Sequence, residues 1–143
     1  MSGREFLEAM RNGTVAPPPI ARLLGFDLVD FSDGFAAFEL TPGEHHYNTI
    51  GMVHGGTACT LLDAAMGCAV HTTLPVGLAS TTLELKVNLV RAVKVETGRL
   101  RCEGRVLHGG RRIATAEGKL IDASGRLYAH GTTTCMIFPV GEG

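Results

Sequence analysis

One carboxylate stands alone in the middle of this chain. Between Glu44 and Glu84 the sole acidic residue is Asp63, set inside Thr57 to Val70, a helix-compatible run whose other side chains are almost all apolar or small. A helix that is apolar all round is a buried one. An unpaired carboxylate carried into an interior costs several kcal/mol even after relaxation, so Asp63 needs a compensating role. It is placed to act as a base for a water molecule or as a nucleophile. Nine residues earlier, His54-Gly55-Gly56 opens the same helix. The first N–H groups there have no intrahelical acceptor and carry the positive end of the helix dipole. The glycines put no side chain in the way of an approaching carbonyl oxygen, and such donors stabilise an oxyanion. These are parts for attack on a carbonyl. Each also has a purely structural use. A buried Asp can pair with a backbone group or a tyrosine hydroxyl, His54 can pack at a helix start, and Gly55-Gly56 can let a helix lie close on a sheet.

Distance adds a constraint. From His54 to Asp63 a helix rises about 13 Å, and nine steps of about 100° put the two on opposite faces. One chain cannot bring both to one carbonyl. Two copies can, if their helices lie antiparallel across a twofold axis, so that the Gly55 end of one meets the Asp63 middle of the other. The sequence therefore predicts a homo-oligomer, with the dimer part of the mechanism.

The elements around this helix are mostly strands. Arg4 to Met10 presents Phe6, Leu7 and Met10 on one helical face, Asn12-Gly13 ends it, and Ala16-Pro17-Pro18-Pro19 holds the backbone extended. Ile20 to Leu24 is a second short helix. Phe26 to Phe31 and Phe35 to Thr41, joined by Ser32-Asp33-Gly34, read as a hairpin. After the central helix, Leu78 to Val90 alternates over an unusual length, with Thr81, Leu83, Leu85, Val87 and Leu89 on one side and Thr82, Glu84, Lys86 and Asn88 on the other. Leu78 to Val90, Val95 to Leu107, Arg112 to Ile121 and Leu127 to Phe138 together read as an antiparallel meander, turned at Arg91 to Lys94, His108-Gly109-Gly110 and Asp122 to Gly125. The pattern is α+β, a curved antiparallel sheet wrapped around one long buried helix. Residues 1–143 read as a single domain, with 1–22 as a helical segment and proline-rich strap.

Composition excludes several classes. A net charge of −1 and 45% hydrophobic residues suggest neither a nucleic-acid surface nor disorder. No apolar run approaches the roughly 20 residues of a membrane span, and the polar start lacks the order of a signal peptide. A cytoplasmic protein without a membrane partner is expected. Cys59, Cys68, Cys102 and Cys135 form no Cys-x-x-Cys pair and read as reduced core thiols. His45, His46, His71, His108 and His130 show no metal-ligand spacing, so no metal is expected.

Asn48, then His54-Gly55-Gly56, then Asp63, a long alternating strand and a Gly-Gly turn closely resemble the PaaI-like acyl-CoA thioesterases of the hot-dog superfamily, over roughly Leu23 to Phe138. The resemblance implies the hot-dog fold and hydrolysis of an aromatic or medium-chain acyl-CoA. Coenzyme A belongs to the substrate, and no other cofactor is implied. It also implies dimers that share sites across the helices, with tetramers built from them. Gly55 would then donate the oxyanion-hole N–H, with Gly56 beside it, and Asn48 and His54 would position the thioester or hold the loop ahead of the helix. Asp63 of the facing chain would activate water or attack the carbonyl itself. Family members carry a hydroxyl on the strand after the helix. Thr82 takes that place, with Thr81 the alternative if the register slips by one. Arg91 is a candidate for a coenzyme A phosphate. Two other readings stay open, an acyl-thioester dehydratase or hydratase of the same fold and a non-catalytic acyl-CoA binding module. The first typically carries Pro-Gly punctuation and a catalytic histidine ahead of the helix, and Tyr47 to Val53 has no proline.

Overall fold

The computed structural model describes residues 1–141. Helix α1 (Gly3–Arg11) starts with a reciprocal cap, in which the Ser2 hydroxyl accepts from the Glu5 N–H and the Glu5 carboxylate accepts from the Ser2 N–H. Helix α2 (Pro19–Leu24) begins on a proline and ends at Gly25, whose φ of 82° only glycine adopts freely. Strands β1 (Phe26–Ser32) and β2 (Phe35–Leu40) form the expected hairpin. The central helix, α3 (Gly55–His71), precedes β3 (Leu78–Leu89), β4 (Leu100–Gly109), β5 (Ile113–Ile121) and β6 (Leu127–Pro139). The strands make one antiparallel sheet in the order β1-β2-β4-β5-β6-β3, and α3 lies in its concave face.

A pair of small residues makes room for that helix. Gly104 and Gly118, which face α3, stand directly opposite one another on β4 and β5. A Cβ on Gly104 would lie 2.4 Å from the Ala65 carbonyl oxygen, and one on Gly118 would lie 3.0 Å from Met66 Cγ. The helix backbone therefore rests almost on the sheet backbone. Leu61, Leu62 and Met66 of α3 then bury against Leu40, Leu100, Leu120 and Cys102 of the strands. Burial also pushes the Cys102 thiol up, away from its reactive form. The N-terminal segment closes over the edge of this core. The Gly3 N–H donates to the Leu74 carbonyl at 2.9 Å, and Leu7 is buried.

Four expectations are corrected. Strand β4 begins at Leu100 instead of Val95, because Val95–Thr97 is a single 3-10 turn closed by Gly98 at φ 79°. Only β4, β5 and β6 form a meander, since β3 pairs with β6 at the far edge and β4 pairs with β2. Alternation shows which face of a strand is buried but not which neighbour it takes. The third correction lies within β3. A bulge between Thr82 and Glu84 leaves Leu83 unpaired and 56% exposed. The extra residue flips the phase, so half-buried Thr82 shares the inner face with Leu85 and Val87, where strict alternation had opposed them. Finally, α3 is not enclosed all round within one chain. Thr60, Asp63, Gly67 and His71, at helical spacing, form a half-buried stripe beside its buried faces. Among the described residues no helix is long and apolar enough to cross a membrane.

Candidate active site

The loop ahead of α3 is tied down at both ends. Asn48 Oδ1 accepts from the Ile50 and Met52 N–H groups at 3.0 and 3.2 Å, and the Asn48 N–H donates to the Met52 carbonyl at 2.7 Å. His46 is 3% exposed. Its Nδ1 accepts from the Gly43 N–H at 3.0 Å, which leaves Nε2 to donate to the Leu24 carbonyl at 2.7 Å. Its own carbonyl accepts the His54 N–H at 2.8 Å. This buried histidine fixes where the helix starts.

His54 caps the helix with its ring. Nδ1 accepts from the Gly56 N–H at 2.9 Å, so the ring proton belongs on Nε2. The Thr57 N–H bonds the His54 carbonyl at 2.9 Å. The Gly55 N–H meets no acceptor among the described residues, whereas the Gly56 donor is taken up by the cap. Asn48, His54 and Gly55 open onto a cleft of about 300 Å³ walled by Met52, Leu61 and Leu89. Arg91 lies on the same cleft, its guanidinium carbon 5.9 Å from the centroid of Tyr128, and the Tyr128 hydroxyl donates to Asp122 at 3.0 Å.

Asp63 faces elsewhere. Its Oδ1 accepts a hydrogen bond from the Thr82 hydroxyl at 2.7 Å, a bond that the β3 bulge makes possible by turning Thr82 inward. The carboxylate borders a second cleft of about 560 Å³, between α3, β3 and the N-terminal segment, with Phe6, Met10, Pro18 and Phe38 among its apolar walls. Thr81 reaches this cleft too but makes no bond to Asp63. The candidate residues thus fall into two groups, Asn48, His54, Gly55 and Arg91 on one cleft, Asp63, Thr81 and Thr82 on the other. Among the described residues no three His, Cys, Asp or Glu side chains gather as a metal would need.

Sequence reasoning missed His46, whose role depends on a carbonyl 22 residues away and leaves no local signal. It also missed that the apolar face of α1 lines the Asp63 cleft. Phe6, Leu7 and Met10 were legible as a face, but not what that face covers.

Residues 50–129 match the family model of the thioesterase superfamily. A Halobacterium salinarum protein bearing an esterase name is 34% identical over 99 residues, which cover 66% of this chain and 64% of that relative, just under two thirds of its length. A solved structure of a conserved protein from Pseudomonas aeruginosa superposes with a TM-score of 0.80 at 35% identity, covering 85% of this chain and 95% of that one. A phenylacetic acid degradation-related protein of Ralstonia eutropha JMP134 gives 0.83 at 28% identity, covering 92% and 98%. The E. coli PaaI protein, at 20% identity, shares the fold with a TM-score of 0.82 over 98% of this chain and 97% of its own.

Proposed function

The chain belongs to the thioesterase superfamily and has its PaaI-like hot-dog fold, and on that footing we propose that it hydrolyses an aromatic or medium-chain acyl-CoA to the free acid and coenzyme A. The observation that carries this reading is the Asp63 carboxylate, held by the Thr82 hydroxyl at 2.7 Å on the lip of an apolar cleft. An apolar cleft suits an acyl group, and a single oriented carboxylate suits the water that must attack it.

The oxyanion has to be met from the other cleft. The rise of about 12 Å from Gly55 to Asp63 exceeds the reach of one reacting centre, so the donor facing Asp63 is the partner subunit's Gly55. Two features of the single chain support such a dimer. Strand β3 is an edge strand with an unpaired outer side carrying exposed Leu83 and Leu89, a pattern that invites pairing. Half-buried Thr60 and Asp63, towards the start of α3, are a surface that the start of a second helix would meet, with Gly67 and His71 left to the cleft. Tetramers of such dimers are part of the same reading.

In this site the thioester carbonyl oxygen accepts from the Gly55 N–H as negative charge develops on it. Asp63 either takes a proton from water as that water attacks, or itself attacks the carbonyl carbon, the C–S bond breaking to release the coenzyme A thiolate and leave an anhydride that water then opens to the free acid. Thr82 fixes the carboxylate in either route. His54 and Asn48 hold the loop that aims the Gly55 donor, and His54 Nε2–H is left free to meet the thioester. Arg91, braced on Tyr128, is placed for a coenzyme A phosphate at the cleft mouth. The four free thiols fit a reducing compartment, which favours the cytoplasm.

The test is thiol release from aromatic and straight-chain acyl-CoAs by wild type, Asp63→Asn and Asp63→Ala, each checked for oligomer mass. Turnover that collapses in both variants while assembly persists supports the reading. A wild type that hydrolyses nothing, beside an Asp63→Ala protein that is more stable, sinks it in favour of a binding module.

A further inference from the structure

Gly67 lies in the interior of α3, where glycine is unfavourable relative to alanine. A Cβ there would meet nothing within 4 Å, so no packing inside the chain calls for a glycine. The space it leaves belongs to the cleft beside Asp63, whose helical floor is the row Asp63, Gly67 and His71 at successive i, i+4 positions. His71 ends that row. Its ring meets Phe6 edge-on, with centroids 5.5 Å apart and planes at 83°. Burial lowers the pKa of His71, so the ring that Phe6 meets is neutral at pH 7. Phe6 is brought there by α1, which seats its first turn against the end of α3. A Cβ on Gly3 would lie 1.6 Å from the His71 carbonyl oxygen, so only glycine lets the two helices come so close. Met10 and Pro18 continue the same wall. None of these N-terminal residues falls within the stretch from 50 to 129 that the superfamily shares.

We infer that the N-terminal segment closes the acyl slot of this site, with Gly67 keeping the slot open and the Phe6–His71 pair forming its end stop, so that these residues set the length of acyl group accepted. The inference rests on the thioesterase reading above. From Asp63 to His71 the helix rises about 12 Å. A reacting distance of about 3 Å at the Asp63 end and a van der Waals contact of about 4 Å at the His71 end leave about 5 Å for the group itself. One aromatic ring, or a chain of similar reach, fills that interval. A longer chain runs into Phe6.

The experiment compares wild type, Phe6→Ala and Gly67→Leu. It reads kcat/KM across straight-chain acyl-CoAs from acetyl to dodecanoyl, together with oligomer mass. Affinities for the same series are measured by calorimetry in the Asp63→Asn background. Phe6 is itself 39% exposed, so its truncation leaves the core intact. Phe6→Ala is expected to move the optimum to longer chains, raising the ratio of long-chain to short-chain kcat/KM by about tenfold or more, and Gly67→Leu to lower it by a similar factor. Profiles that move in neither variant overturn the inference, as does a Gly67→Leu protein that dissociates with its profile unchanged. If wild type hydrolyses no thioester, the thioesterase reading fails by itself. The calorimetric series then decides the slot, opposite shifts upholding it and flat profiles overturning it.

Discussion

Replacing Thr82 by valine removes one hydroxyl and keeps the shape and β-propensity of the residue. Its Oγ1 donates to Asp63 Oδ1 at 2.7 Å, and no other hydrogen bond of that carboxylate occurs among the described residues. A hydrogen bond to a charged group contributes about 1.5–3 kcal/mol. If the bond orients Asp63 for attack, nearly all of it is felt in the transition state, and at about 1.4 kcal/mol per factor of ten kcat/KM falls by about 10- to 150-fold. Thr82→Ser restores the hydroxyl and should recover most of the activity. The assay is thiol release from the best acyl-CoA of the wild type, with urea unfolding run in parallel. Asp63 borders a cleft and is only half-buried, so stability should change far less than activity. A Thr82→Val enzyme within about threefold of wild type, or one whose lost activity tracks lost stability, refutes an orienting role.

Three other outcomes follow from the same geometry. His54→Ala removes the ring that caps Gly56 at 2.9 Å and should cost about 0.5–2 kcal/mol in urea unfolding, with His54→Asn recovering part of it; no change would mean that the cap is idle. Gly104→Ala forces a Cβ to 2.4 Å from a helix carbonyl that cannot turn aside, and thermal unfolding should show a loss of at least about 1–3 kcal/mol; a neutral result would mean that α3 can ride higher on the sheet. Asp122 is held down to about 2, first by the Ser124 hydroxyl, with the Arg126 and Ser124 N–H groups and the Tyr128 hydroxyl adding to it. Because the folded value is depressed, its contribution is complete above the unfolded value near 3.8 and fades as pH falls from there towards 2. Asp122→Asn should therefore destabilise at pH 7 by a margin that closes over that acid window, and a gap independent of pH would contradict the hydrogen-bonded cause.

Much of this was legible in the sequence. The central helix, the hairpin and the long strands announce themselves by period and by turn residues, and the lone carboxylate behind a His-Gly-Gly helix start marked both halves of the candidate site. What could not be read was set by partners distant in the chain. Thr82, Leu83 and Glu84 are ordinary strand residues, and only pairing with Cys135 and Thr134 reveals that Leu83 is extra. The bulge matters most of all, since unbroken alternation would keep Thr82 on the face away from Leu85 and the helix. His46 looks like a loop histidine until the Leu24 carbonyl is brought to it. The placement of β3 at the far edge rests on a sheet order that alternation does not encode. The half-buried stripe of α3 shows the converse case, where an all-apolar helix signalled burial that one chain alone does not complete.

Subunit complementation tests the shared site most directly. An Asp63→Asn protein and a Gly55→Val protein, each inactive alone, are mixed, dissociated and reassembled, and thiol release is measured. If each site takes its carboxylate from one subunit and its oxyanion donor from the other, random mixing makes about a quarter of all sites intact and activity returns to about that fraction of wild type. Activity that stays at the level of the separate variants, in oligomers shown by mass to be mixed, would mean that each chain works alone and that the account of a site built across two helices is wrong.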